Sequence, residues 1–327
     1  MAELTAASIV IQRHGGAEVM EWQELPVPRL KRNEVRVRHR AIGVNFADVY
    51  ARTGLYPVTL PAVLGSEAAG VVEEVGSAVS SVAVGDRVAY VLNTTGTYTV
   101  ARNVPADRLV KIPPGISDEQ AAAVMLKGLT VQYLLRRTYR VRRSDTILIH
   151  AAAGGVGLIA VQWAKALGAR VIGVVSTGEK ANMARANGAD EIVLGSEPLA
   201  ERVRALTGGK GVPVVYDSVG AATFQSSLDC LRPRGLMVSF GNASGPVPPV
   251  PLLELMRRGS LYVTRPTLAH YTATKGDLQR AARELFAVIS SGAVKIHIGQ
   301  RYPLKDAAQA HRDLEGRRTT GSTVLLP

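Results

Sequence analysis

The chain has 327 residues, 46% of them hydrophobic and 20% charged, with 39 Lys+Arg against 27 Asp+Glu for a net charge of +12. That is a globular composition with room for about two domains, and it excludes a disordered chain. A single cysteine, Cys230, excludes a disulfide framework and a four-cysteine zinc lobe.

The first hundred residues read as β structure, in a β-rich domain expected to span 1–125. Alternating runs at 34–44, 69–76 and 86–92 are separated by Gly, Pro and Asn. Within the first run Arg36, Arg38 and Arg40 fall on one strand face. Ser117 and Gln120 form a capping-box pattern, so a helix is expected from 118, weakened or broken at Gly128. A second arginine cluster, Arg136, Arg137, Arg140, Arg142 and Arg143 around Tyr139, reads as a solvated helix end. Its rival reading is a nucleic-acid surface.

From about 144 the texture changes. Strands at 146–152, 170–176, 191–194, 212–219, 235–241 and 260–266 alternate with helices at 157–168, 179–187, 198–206 and 221–231. This is the pattern of a doubly wound, six-stranded parallel sheet over 126–266. The Gly- and Pro-rich stretch 241–251 is a loop. A helix near 276–290, a strand at 295–304, a short helix at 305–315 and a last strand follow. Residues 267–327 are expected to return to the β-rich domain. No apolar run reaches the roughly 18 residues of a membrane span. The N-terminus lacks the basic start and apolar core of a signal peptide. The expected compartment is the cytoplasm.

The chemistry concentrates at Ala152-x-Gly154-Gly155-Val156-Gly157, between the first of these strands and its helix. Gly154 lets the backbone approach a pyrophosphate, Gly157 lets helix and strand pack closely, and the helix amides face the phosphates. No acid ends the next strand to bind a ribose 2′-hydroxyl. Ser176 and Lys180 stand there instead and suit a 2′-phosphate, which favours NADPH. The six histidines form no metal-ligand pair, so no metal site is expected. His150 reads as a packed core residue and Cys230 as a buried bystander inside a helix.

Several segments carry a resemblance: 43–57 (GVNFADVYARTGLYP), 64–76 (LGSEAAGVVEEVG), 125–135 (MLKGLTVQYLL), 150–169, 214–220 (VVYDSVG), 228–245 and 259–266. Together they span nearly the whole chain. They resemble the zinc-free quinone oxidoreductase (zeta-crystallin-like) branch of the medium-chain dehydrogenase/reductase superfamily. The resemblance implies an α/β fold in which a β-rich GroES-like catalytic domain joins a Rossmann domain. It implies that Asn45 and Tyr50 border the nicotinamide, with Lys127 and Thr130 beside it. Ser218, Phe240, Gly241 and Asn242 would line the cofactor, with Val263, Thr264 and Arg265 as neighbours. Lys180 and Arg317 would hold the 2′-phosphate. A tyrosine expected on the 2′-phosphate side is replaced by Gly195. Positions that hold zinc in the alcohol dehydrogenase relatives read Asn45, Ser66 and Lys127.

A site without a Lewis acid suits acceptors that are already electrophilic. The protein then supplies orientation and a hydrogen bond to the developing oxyanion, for which Asn45 and Tyr50 are candidates. The expected function is NADPH-dependent quinone reduction. A same-fold alternative is an enone or enoyl-thioester reductase. A different-class alternative is a nucleic-acid-binding protein that retains an NADPH site, motivated by the charge but not favoured. The last sheet strand is an edge, so a homodimer pairing those edges is expected.

Overall fold

The computed structural model describes residues 4–92 and 94–327. Its contacts divide the chain into two units, Met1–Leu129 with Thr272–Ser290 and Ile296–Pro327, and Thr130–Tyr271 with Ser291–Lys295.

The first unit opens with β1 (Thr5–Ile11), β2 (Met20–Pro26), β3 (Glu34–Val44), α1 (Phe46–Thr53), β4 (Ala62–Val63) and β5 (Glu67–Val75). It continues through β6 (Arg87–Val91), β7 (Ala101–Pro105), β8 (Val110–Lys111), α2 (Asp118–Ala122) and the first half of α3 (Met125–Tyr133), whose second half belongs to the second unit. β3 is its axis, pairing antiparallel with both β5 and β7. Val35, Val37 and His39 turn inward, while Arg38 and Arg40 are exposed and Arg36 is half-buried, as the alternation predicts. Two of these arginines are matched across the sheet, Arg36 to Glu74 at 2.6 Å and Arg38 to Glu73. A core of Ile9, Val37, Ile42, Leu64, Val88 and Tyr90 fills the interior.

Two local expectations fail here. Residues 46–53 form a helix inside a stretch read as β. The chain turns at Asn45, and the Asp48 side chain accepts the Asn45 amide at 2.8 Å, which is capping-box geometry. The helix from 118 stops at Ala122, and Gly128 lies inside α3 instead of breaking it. A Cβ at Gly128 would come within 2.5 Å of Leu285 Cδ1, so this glycine serves close packing against a neighbouring helix.

The second unit runs β9 (Thr146–His150), α4 (Gly155–Ala166), β10 (Arg170–Val175), α5 (Gly178–Ala186), β11 (Glu191–Leu194) and α6 (Leu199–Leu206). Then come β12 (Val212–Asp217), α7 (Phe224–Asp229), β13 (Leu231–Ser239), α8 (Leu252–Arg257), β14 (Tyr262–Thr264) and α9 (Leu268–Tyr271). All six strands are parallel, in the order β11-β10-β9-β12-β13-β14. The chain winds outward from β9 to β11, then returns to the other side of β9 at β12. The switch point therefore lies between β9 and β12, the place where open α/β sheets bind ligands. β13 starts earlier than the expected 235, because Leu231 pairs with Val212 ahead of a bulge. That shortens the preceding helix, and Cys230 falls just past its end rather than inside it.

The tail adds α10 (Lys275–Ser290), β15 (Ile298–Pro303), α11 (Ala307–Glu315) and β16 (Ser322–Leu326). β16 pairs antiparallel with β3 through Leu325 opposite Ile42, so the last strand completes the first unit's main sheet.

Candidate active site

In the second unit, parallel strands bring several predicted residues to one sheet edge. Gly154–Gly157 follow β9, Ser176 follows β10, Ser218 follows β12, Phe240–Asn242 follow β13, and Val263–Arg265 end β14. Gly154 is the N-cap of α4 and provides no side-chain cap, so the first amides of the helix are open to an anion. A Cβ at Gly157 would lie 2.1 Å from the Ala151 carbonyl and 2.8 Å from the Ala152 backbone, which is the close helix–strand approach the motif requires. β10 ends without an acid. Ser176 is exposed, and Lys180 is half-buried in the first turn of α5, whose N-cap Thr177 accepts the Lys180 amide. These residues fit a dinucleotide bearing a 2′-phosphate.

The sequence reading missed what shapes the loop after β12. Asp217 is fully buried and accepts the amides of Val219 (2.7 Å) and Gly220 (3.1 Å) and the hydroxyls of Thr223 (2.7 Å) and Ser227 (2.9 Å). An acid closing an otherwise apolar strand was the available signal. Because Ser227 donates to Asp217, the Nε2–H of His150 donates to Ser227, at 2.8 Å. Burial pushes the His150 pKa down, so the ring is neutral and structural.

The first unit carries a denser cluster. Asn45 heads α1, Ser66 lies just before β5, Glu67 starts it, and Lys127 lies in α3; all four are buried. The Glu67 carboxylate accepts from Lys127 Nζ at 3.0 Å, from Asn45 Nδ2 at 2.9 Å and from the Leu126 amide at 2.5 Å. Room for it comes from Gly43 in β3, where a Cβ would sit 2.2 Å from Glu67 Oε1. One hydrogen of the Asn45 amide and two of the Lys127 ammonium remain after these bonds. Asp48, fully buried, accepts from Asn45 N, from Ser66 Oγ at 2.6 Å and from Tyr98 Oη at 3.1 Å. Its pKa is raised to about 6, first by burial and also by the nearby Glu67 charge.

Glu67 and Asp48 were not singled out from sequence. Each carried a weak local signal, a lone acid in an apolar strand and an acid three residues after a helix cap. Tyr50 is buried in α1 with its ring edge-on to Tyr56, centroids 5.1 Å apart. Thr130 lies one turn after Lys127 on α3. Arg317 is exposed in the first unit, just after α11, with a left-handed φ of 57°.

Among the described residues, no group of three His, Cys, Asp or Glu side chains is placed to hold a metal ion. At the positions that the resemblance equates with zinc ligands, an amide, a hydroxyl and an ammonium stand instead. With the Lys127 ammonium already on Glu67, that donor set does not fit Zn²⁺.

Comparison with known proteins finds relatives over the whole chain. Residues 31–114 match the family described as alcohol dehydrogenase GroES-like domain, and residues 155–286 match the one described as zinc-binding dehydrogenase. A quinone oxidoreductase of Pseudomonas aeruginosa is 57% identical, covering 98% of this chain and 100% of the relative. A 2-haloacrylate reductase of a Burkholderia species is 46% identical over 97% of this chain and 98% of its own length. Among solved structures, Escherichia coli quinone oxidoreductase complexed with NADPH superposes with a TM-score of 0.96 at 52% identity, covering 98% of this chain and 100% of that one.

Proposed function

The chain belongs to the quinone oxidoreductase family of the medium-chain dehydrogenase/reductase superfamily, and on that premise we propose that it reduces quinones with NADPH, without a metal. The observation that carries the reading is the site's composition. An open helix N-terminus with Ser176 and Lys180 at the next strand suits NADPH. A buried Lys127–Glu67–Asn45 cluster presents oriented hydrogen-bond donors where a metal would otherwise polarise the acceptor.

Bound NADPH supplies a hydride. In this reading the open amides at Gly155–Gly157 bind its pyrophosphate, and Ser176 and Lys180 hold the 2′-phosphate. Ser218, Phe240–Asn242 and Val263–Arg265 enclose the rest of the cofactor. On the first unit, the spare Asn45 N–H and the remaining Lys127 hydrogens donate to the acceptor oxygen as it gains negative charge. Glu67 keeps both donors oriented. Tyr50 positions the acceptor ring, and Thr130 belongs to the nicotinamide side.

A second reading, reduction of an electron-poor carbon–carbon double bond, draws support from the 46% identity to a 2-haloacrylate reductase. NADPH oxidation by chelator-treated protein, with 1,4-benzoquinone and 2-cyclohexenone in parallel, separates the two. Turnover with the quinone alone supports the first reading, and turnover with the enone alone replaces it. Lys180→Ala should raise the KM for NADPH and leave that for NADH unchanged.

The same proposal has the protein working in the cytoplasm as a homodimer. No described helix is long and apolar enough to cross a membrane. β14 ends its sheet with Tyr262 61% and Val263 39% exposed, an edge that a second copy can pair with. A single monomer-mass species in sedimentation at micromolar concentration would contradict the dimer. The pairing of Arg36 and Arg38 with acids favours a solvated basic face over a nucleic-acid surface.

A further inference from the structure

A line of buried polar side chains runs through the first unit from α11 to the head of α1. Glu315, with its side chain 36% exposed, receives both terminal nitrogens of Arg52, at 2.9 and 2.8 Å. Arg52 is 1% exposed, and its Nη1 also lies 3.0 Å from His311 Nδ1. His311 Nε2 lies 3.0 Å from Tyr98 Oη, which reaches Asp48 Oδ2. His311, Tyr98 and Asp48 have no exposed surface.

The direction of every bond follows by elimination. A guanidinium only donates, so His311 Nδ1 accepts. The ring proton is then on Nε2 and donates to Tyr98, whose hydroxyl hydrogen is left for Asp48. Asp48, an ionised acceptor, takes three donors: Tyr98, Ser66 just before β5 and the backbone amide of Asn45, the N-cap of α1. The line ends at the backbone of Asn45. Burying so many polar groups costs more than an apolar core of the same volume. Filling space therefore does not account for them.

We propose that His311 is a positioning residue for the reductase site: it holds Tyr98, and through Tyr98 it holds Asp48, which pins Asn45 at the head of α1. The proposal rests on the reading that Asn45 meets the acceptor. It makes the C-terminal helix, 263 residues from Arg52 in sequence, part of the site's support.

A chemical consequence follows. Around Asp48 stand Asn45, Ser66, Glu67 and Tyr98, with His311 and Arg52 behind Tyr98. Its three direct partners are all donors. A protonated Asp48 must also donate, so one hydroxyl partner has to reverse and re-aim its own hydrogen, and the pin loosens in acid.

The test uses the full chain and two variant sets: Tyr98→Phe, and His311→Gln beside His311→Leu. Hydrogen exchange of the peptide covering residues 43–50 reads the pin directly. Tyr98→Phe and His311→Leu should speed exchange there about tenfold and leave NADPH affinity unchanged. Both should lower kcat/KM for 1,4-benzoquinone by a similar factor, and Tyr98→Phe should also move the acid limb of its pH profile up by about one unit, since Asp48 there loses a donor to its charged form. His311→Gln, whose amide can accept from Arg52 and donate to Tyr98, should restore most of each. Wild-type exchange at 43–50 in both Tyr98→Phe and His311→Leu overturns the proposal. If Tyr98→Phe does not fold, the two His311 variants decide by the same readout. If the wild type reduces no quinone, the functional reading fails, and the exchange measurement still decides the positioning role.

Discussion

Replacing Lys127 by Met keeps most of the side chain's apolar stem and removes its charge. Its partner Glu67 has no exposed side-chain surface, and Lys127 only 7%. The variant leaves the carboxylate with two neutral donors, the Asn45 amide and the Leu126 N–H. Removing one partner of a buried pair costs about 3–5 kcal/mol, because an uncompensated charge remains. At about 2–3 °C per kcal/mol for a chain of this size, the melting temperature should fall by roughly 6–15 °C. The double variant Lys127→Met/Glu67→Gln removes both charges and should recover most of that loss. Activity should behave differently. The lost ammonium hydrogens are the proposed donors to the acceptor oxygen, so kcat should fall about 100-fold in both variants. Scanning calorimetry and NADPH oxidation with 1,4-benzoquinone measure the two effects separately. A single variant melting within about 2 °C of wild type would refute the buried-pair energetics. A double variant with wild-type kcat would refute the role given to Lys127.

Other outcomes follow from the same structure. Gly157→Ala places a Cβ 2.1 Å from the Ala151 carbonyl, so the start of α4 must shift by about 1 Å to reach normal contact. Losing two amide–phosphate bonds at about 1.5 kcal/mol each should weaken NADPH binding about 100-fold by calorimetry, and unchanged affinity would contradict the cradle. Burial, with the Thr99 carbonyl opposing it, lowers His39 to about 4, and burial with the Arg52 charge lowers His311 to about 3. The unfolded chain therefore takes up these protons first. Stability present above about pH 6.5 should be lost as pH falls, at about 1.4 kcal/mol per pH unit per histidine. Asp48, raised to about 6, acts oppositely, its contribution being present in acid and lost as pH rises through that value. In denaturant titrations between pH 4 and 6, the stability of His311→Gln should fall less steeply than that of wild type, by one proton; an unchanged slope would refute the assignment. Cys230 is fully buried and its thiol is pushed up to about 12, mainly by burial. A thiol reagent should label it only after unfolding, and rapid labelling of the native protein would show the burial to be wrong.

Much of the second unit was legible because its signals are local. A strand, a glycine turn and a helix announce themselves within about 20 residues, and the expected strand EIVL at 191–194 matches β11 residue for residue. Gly154, Gly157, Ser176 and Lys180 could be named because each sits at the end of such a segment. The cap at Asn45–Asp48 was present in the sequence too, but the β-like texture around it hid it. The sequence by itself thus determined the sheet and its cofactor edge.

Only the tertiary structure decided what surrounds the first unit's polar groups. Glu67 meets Lys127 across 60 positions, Tyr98 meets Asp48 across 50, and His311 meets Tyr98 across 213 and Arg52 across 259. Periodicity reports which face a side chain takes, not which distant side chain shares its pocket. That partner is set by the register in which β3 pairs with β5 and with the returning β16. A buried carboxylate is tolerable only once those pairings have delivered its donors, so its chemistry belongs to the assembled fold.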